Sequence, residues 1–231
     1  MKIGIIGAMK EEVAQLKDEM KDVAITSKAS MDFYEGKLGD KDVVVVQSGI
    51  GKVNAGICTQ ILVDLFAVDL VINTGIAGSL RAEINICDVV VSTDALQHDV
   101  DATEFGYAVG QIPQLDTLSF KADEKLIKQA TKSCREVNKD INVFSGRVVS
   151  GDQFIADNKA KQKIIANFDG YCTEMEGAAI AQAAYLNNLP FVIIRAISDK
   201  ADDSAQMDYP TFEKRAIANS VKLVKDMIAK I

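Results

Sequence analysis

Hydrophobic positions along the chain alternate between two periods. Short Ile/Val-rich runs at "KIGIIG" (2–7), "DVVVVQS" (42–48), "DLVINTG" (69–75), "CDVVVST" (87–93), "NVFSGRVVSG" (142–151) and "PFVIIRAIS" (190–198) predict strands. "DFYEGKL" and "DVVVVQS" flank a Gly-Asp turn signal and predict a hairpin. Between these runs, helical spacing of apolar positions predicts helices over 9–20, 53–66, 123–138 and 177–188, with a closing amphipathic helix over 211–231. This alternation predicts a largely parallel central sheet covered by helices. No repeat, low-complexity tract or linker divides the chain, so one domain over 1–231 is expected. The long irregular stretch is 94–118, a length that in a compact domain points to function or an interface.

Composition narrows the function classes. The 231 residues carry a net charge of −7 with no basic cluster, which argues against nucleic acid and anionic membranes as partners. No apolar run approaches a membrane span, and the N-terminal run is too short for a signal peptide, so a cytoplasmic protein is expected. Cys58, Cys87, Cys134 and Cys172 lie far apart without a CxxC pair and read as reduced core thiols. With His98 the only histidine, a His/Cys metal site is not expected.

Two stretches imitate a dinucleotide fingerprint and fail it. After Gly7 come Ala8, Met9, Lys10, Glu11 and Glu12, placing acids where a pyrophosphate would sit, and "GIGKVNAG" (49–56) has Asn54 at the third glycine position.

Ligands of open α/β sheets bind beyond the carboxyl ends of strands. Those ends carry Glu11 and Glu12, Ser48 to Gly51, the glycine-rich Thr74 to Ser79, Gly151 to Ile155, and Ser198 to Asp203. Carboxylates, glycine turns and apolar faces without a nucleophile triad or phosphate clamp suit acid–base work on an uncharged ligand. Each candidate has a plainer alternative. Glu11 and Glu12 suit a helix dipole, Asp199 suits a cap, Phe154 suits a core, and His98 and the 199–203 acids suit a solvated loop.

"YCTEMEGAAIAQAAY" (171–185) poses its own question. Residues two apart on a helix point about 200° apart, so Glu174 and Glu176 would not share a pocket there. Thr173-x-x-Glu176 before an apolar run reads as a capping box, with Glu176 reaching back to the Thr173 N–H. Glu174 reads as a supporting or surface acid.

In order along the chain, "MKIGIIGAMKEEV", "SGIGKVNA", "NTGIAGSL", "FGYAVGQIP", "VSGDQFI", "EMEGAAIA" and "VIIRAISDKAD" together resemble the purine nucleosidase/phosphorylase superfamily. Within it they are most similar to the 5′-methylthioadenosine/S-adenosylhomocysteine nucleosidases. The resemblance implies a three-layer α/β/α fold around a mixed, partly barrel-like sheet, a homodimer, and cofactor-free hydrolysis of adenine nucleosides bearing a 5′-thioether. It implies that Asp199, oriented by Ser198, is the general acid at adenine N7, that Glu12 activates water, and that Glu176 accepts the ribose hydroxyls beside Met175. It places Phe154 against adenine, the Ile155 backbone at its Watson–Crick edge, Gly78 as a backbone contact and Arg195 behind the site. Met9, Ile50 and Tyr209 would line the 5′ pocket, with Phe105, Tyr107 and Pro113 arriving from the neighbouring subunit. A phosphorylase would carry arginines in the turns that here hold Glu12 and Asn73. Where some of these nucleosidases have serine this chain has Ile76, which is assigned no catalytic role.

Overall fold

The computed structural model describes residues 1–231, apart from the side chain of Met207. Ten strands and six helices follow in the order β1 (Lys2–Gly7), α1 (Lys10–Asp18), β2 (Lys21–Lys28), β3 (Met31–Leu38), β4 (Lys41–Gln47), α2 (Lys52–Phe66), β5 (Leu70–Ser79) and β6 (Val89–Gln97). Then come β7 (Phe120–Lys121), α3 (Glu124–Val137), β8 (Val143–Ser150), α4 (Asn158–Phe168), β9 (Cys172–Glu174), α5 (Gly177–Leu186), β10 (Phe191–Asp199) and α6 (Ala205–Lys230). A single 3₁₀ turn over Thr103–Phe105 breaks the long irregular stretch.

The strands form one sheet in the order β10-β6-β8-β9-β5-β1-β4-β3-β2, and β10 also pairs with β5. That extra pairing closes β5, β9, β8, β6 and β10 into a five-stranded ring, from which β1, β4, β3 and β2 extend. The expectation of a largely parallel sheet needs correction. β1–β4, β1–β5, β10–β5, β6–β8 and β8–β9 are parallel, but β10–β6, β5–β9, β2–β3, β3–β4 and β6–β7 run antiparallel. Within the ring the antiparallel pairs are β5–β9 and β10–β6, two reversals, and a closed ring can hold only an even number of them.

Side-chain alternation then sorts the apolar residues into two layers. Ile3, Ile5, Val43 and Val45 face α1, α3 and α6, through Leu16, Leu126, Ala130, Val224 and Met227. Ile6, Val44 and Val46 face α2 and α5, through Cys58, Leu62, Ile180 and Ala184. The valine run of β4 is therefore apolar throughout because both of its faces are covered. All four cysteines are free and buried. No helix among the described residues is long and apolar enough to cross a membrane.

Helix α6 begins six residues before the expected position and runs through Pro210. Its early turns are held by the fold. Ser204 Oγ bonds Asp202 and Asp208, and Tyr209 Oη donates to Met9 Sδ at 3.3 Å, drawing this segment over the ends of the central strands.

Candidate active site

The turn after β1 brings Glu12 back toward its own strand. Its Oε2 accepts from the backbone N–H groups of Ala8 (2.7 Å) and Met9 (2.9 Å), and its Oε1 from that of Ile76 (3.2 Å). The carboxylate thus occupies the amide groups at the start of α1, where a dinucleotide-binding turn would hold phosphate. Helix-capping and site-building are both served by this residue. Glu12 is only 4% exposed. Burial raises its proton affinity, against the opposing pull of Arg195 and the three amides.

Asp199 ends β10. Its Oδ1 accepts from Ala201 N and its Oδ2 from Ser198 Oγ, both at 2.8 Å. Here too the capping and chemical readings coexist, since the local turn fixes the carboxyl without neutralising it. Burial, opposed by those two hydrogen bonds, holds its pKa above the usual carboxylate value. A raised acid retains a proton to higher pH and so suits proton donation.

Strand β5 makes room for both acids. A Cβ on Gly75 would lie 2.6 Å from Glu12 Oε1, and one on Gly78 would lie 2.7 Å from Asp199 Oδ1. Glu12 and Asp199 both line the cavity beside this strand. Gly75→Ala is expected to displace Glu12, cutting activity at least about tenfold and destabilising the fold by about 1–3 kcal/mol; a nucleoside-cleavage assay with urea unfolding checks both.

Glu176 does not reach back to Thr173, so the expected capping box is absent. Glu176 is itself the N-cap of α5, with no side-chain cap bond, and its Oε1 accepts from Gly51 N at 2.7 Å. Gly51 starts α2 at φ +98°, a conformation that favours glycine and aims this N–H across to Glu176. The cap is supplied instead by Glu174 Oε2, which accepts from Glu176 N and Gly177 N, and by Ser150 Oγ, which accepts from Ala178 N.

Glu174 is not a surface acid. It lies on β9, buried, and is bonded by Ser150 Oγ and by the Arg195 guanidinium, whose Nε donates at 3.1 Å. Arg195 Nη2 also donates to Asn73 Oδ1 at 2.5 Å. Because Glu174 belongs to a strand and Glu176 to a helix cap, the 200° argument does not apply to them. Both line one cavity.

Electrostatically, one buried cation serves three buried acids. Arg195, 2% exposed, pairs with Glu174 and holds its carboxyl below the ordinary value despite burial. Glu176 forms no ion pair among the described residues and feels Arg195 only at longer range. Burial and then the Glu174 charge push it up to about 8.

These groups surround a cavity of about 410 Å³, a size suited to a small organic ligand. Met9, Ile50, Gly78, Phe154, Met175, Ser198 and Tyr209 line it together with Glu12, Glu176 and Asp199. Phe154 and Tyr209 meet edge to face, 5.8 Å between centroids, so Phe154 belongs to the cavity and is half exposed rather than core. Ile76 is a wall residue whose N–H serves Glu12.

Other expected residues lie elsewhere. Ile155 does not line this cavity, and its side chain packs with Leu80, Leu96 and Ile164. Arg195 sits behind the wall. Phe105 is 84% exposed and Pro113 is exposed on the irregular stretch, with Tyr107 half-buried; none lines this chain's cavity. The Glu174–Ser150 support was missed in the sequence, although an arginine inside the apolar run "VIIRAIS" required a buried acid partner.

The fold and this carboxylate-lined cavity define a member of the Phosphorylase superfamily, whose sequence profile matches residues 2–229. A 5′-methylthioadenosine/S-adenosylhomocysteine nucleosidase of an Exiguobacterium species is 47% identical over 225 residues, covering 97% of this chain and 96% of the relative. The Neisseria meningitidis nucleosidase of that name, solved with methylthio-immucillin-A, superposes with a TM-score of 0.95 at 42% identity, covering 100% of this chain and 99% of the other. The Colwellia psychrerythraea enzyme, solved with adenine, gives the same score and identity, with coverage of 100% and 95%. The chain belongs to the 5′-methylthioadenosine/S-adenosylhomocysteine nucleosidase family.

Proposed function

We propose that the enzyme hydrolyses the N-glycosidic bond of 5′-methylthioadenosine and S-adenosylhomocysteine, and of 5′-deoxyadenosine, releasing adenine and the 5-substituted ribose. Asp199 donates a proton to adenine N7, turning the base into a neutral leaving group. As the C–N bond breaks, positive charge develops on the sugar. Glu176 accepts the ribose hydroxyls and stabilises that charge, while Glu12 takes a proton from the water attacking the opposite face. Two carboxyls on opposite flanks with water between them correspond to an inverting hydrolysis. Met175 supports the sugar, Phe154 stacks on the base, and Met9, Ile50 and Tyr209 hold the 5′ thioether.

The observation that carries this reading is the Glu12 carboxylate held by the Ala8, Met9 and Ile76 amides. A phosphate nucleophile would need those donors and would meet a fixed negative charge in their place. Adenine release from methylthioadenosine is therefore expected at equal rates with and without inorganic phosphate. Release only with phosphate would make the protein a phosphorylase, and cleavage restricted to another 6-amino purine nucleoside, such as aminodeoxyfutalosine, would reassign the substrate.

The working unit is one domain per chain in a homodimer. Ile50, just before α2, and Val53 and Ile57 on its first turns are exposed, as is Phe154, and Phe105 projects from the irregular stretch. An apolar patch of this kind favours burial, and Phe105, Tyr107 and Pro113 then close the partner's 5′ pocket. A cytoplasmic location and a role in methionine salvage accord with reduced thiols and with this substrate class.

A further inference from the structure

Phe154 stands on a turn with little structure of its own. The segment between β8 and α4 is neither strand nor helix, and among the described residues neither Gln153 nor Phe154 forms a hydrogen bond. The last groups secured before Phe154 belong to Gly151 and Asp152. Gly151 N donates to Glu174 O at 3.1 Å. Asp152 N donates to Asp99 Oδ2 at 3.0 Å, and Asp152 Oδ1 accepts from Lys52 N at 2.8 Å. Lys52 Nζ in turn donates to Asp99 Oδ1 at 2.6 Å. Three segments therefore close a ring of hydrogen bonds, through Asp99 beyond β6, Asp152 beyond β8 and Lys52 at the start of α2.

This ring meets the Glu176 side of the cavity at consecutive amides. Gly51 N donates to Glu176 Oε1, and the next amide, Lys52 N, donates to Asp152 Oδ1. The turn that carries Phe154 and the carboxyl of Glu176 are thus tied to neighbouring atoms of one backbone. The turn also rests closely on the 98–99 segment, since a Cβ on Gly151 would lie 2.6 Å from His98 Nε2 and 3.1 Å from Asp99 Cγ. The Lys52 and Asp99 side chains are 18% and 16% exposed, so water weakens this pair less than a surface one. Against burial, the Lys52 ammonium and the Asp152 amide hold the Asp99 carboxyl below the usual carboxylate value. None of the three residues lines the cavity itself.

Resting on the nucleosidase reading above, we propose that Asp99 and Lys52 are positioning residues for the leaving base. Their ion pair clamps Asp152 and, through it, sets Phe154 at a fixed distance from the sugar held by Glu176. Neither side chain touches the substrate. A clamp of this kind orders the base turn before the ligand arrives, so less binding free energy is lost in ordering it.

Calorimetric titration with adenine and steady-state cleavage of methylthioadenosine, both with the full-length enzyme, test this. In Asp99→Ala, the adenine dissociation constant and KM are expected to rise together, each roughly tenfold, as for loss of hydrogen bonds to a charged group. Turnover should fall less than about threefold, because Glu176 and Asp199 keep their own hydrogen bonds. A merely structural role gives the opposite split, since partly unfolded enzyme lowers the apparent kcat and leaves KM unchanged. Lys52→Met should reproduce the rise, and the double variant should be no worse than Asp99→Ala, because a single clamp is lost once. Should Asp99→Ala fail to fold, the nearly isosteric Asp99→Asn carries the test, with a rise of at least about threefold. KM and adenine affinity within about twofold of wild type, or fully additive effects in the double variant, overturn the assignment. A rise in KM with adenine affinity unchanged also overturns it, by placing the effect at the sugar. Wild-type enzyme that binds adenine but cleaves no nucleoside overturns instead the catalytic reading, and the adenine titration still decides the clamp.

Discussion

Asp199→Asn is expected to lower kcat/KM for methylthioadenosine by about 10²–10⁴, the range for loss of a positioned general acid. The substitution is close to isosteric. Its amide oxygen can still accept from Ala201 N, so the turn after β10 should persist and the melting temperature should move little. Substrate should still bind, because the apolar walls and Glu176 are untouched. What disappears is the proton delivered to the leaving base. The same reasoning fixes the direction of a pH effect. Burial keeps the Asp199 carboxyl protonated to higher pH than an exposed aspartate, so wild-type kcat/KM should fall on the alkaline side as that proton is lost. Near-normal turnover in the variant would move the acid role to another residue.

Glu176→Gln has the second large effect, and it separates catalysis from stability. Glutamine can still accept from Gly51 N but cannot become the carboxylate that donating ribose hydroxyls and a developing positive sugar favour at Glu176, so kcat/KM is expected to fall about 10²–10³. The carboxyl of Glu176 is raised from 4.5 to about 8. Between those values the folded protein holds a proton that the unfolded chain has released. Wild-type stability contributed by this group is therefore complete below pH 4.5 and is lost as pH rises toward about 8, by at most ~1.4 kcal/mol per pH unit. The glutamine variant has no such loss and should be at least as stable as wild type at pH 9. Urea unfolding at pH 5, 7 and 9, read beside kcat/KM, checks both parts. A destabilised variant with full activity would return Glu176 to a purely structural role.

Legibility in the sequence followed the strength of local signals. Strands buried on both faces, such as β4 with its four valines, were plain, as were the polar groups at the ends of β1, β5 and β10. Four elements escaped notice for separate reasons, the two-residue β7 because it exists only by pairing with β6. Every residue of β2 is exposed, so no burial pattern marks it. The three residues of β9 are a strand only by virtue of pairing with both β5 and β8. In α4 the buried positions are just Ile164 and Phe168, and its start depends on Asp157 accepting from Lys159 N and Ala160 N. The relative placement of Glu174 and Glu176 was misread because a helix was assumed where a strand and a cap meet. That boundary is set by Arg195, more than twenty residues later in the chain, and by Ser150 from β8. Such long-range partners leave no local period to read.

Closing β10 onto β5 has a consequence for association between molecules. A ring has no free margin, so the strands that carry Glu174 and Asp199 offer no unpaired backbone to another chain. The one long exposed margin falls to β2, whose partner is β3 alone, beside the two-residue β7 on β6. There the register slips between Lys21 and Ala24, Asp22 takes a left-handed φ of 54°, and lysines stand at both ends. An irregular, charged border is a poor template for strand addition. The molecule thus keeps its catalytic strands sealed and confines its risk of aggregation to one strip built to resist it.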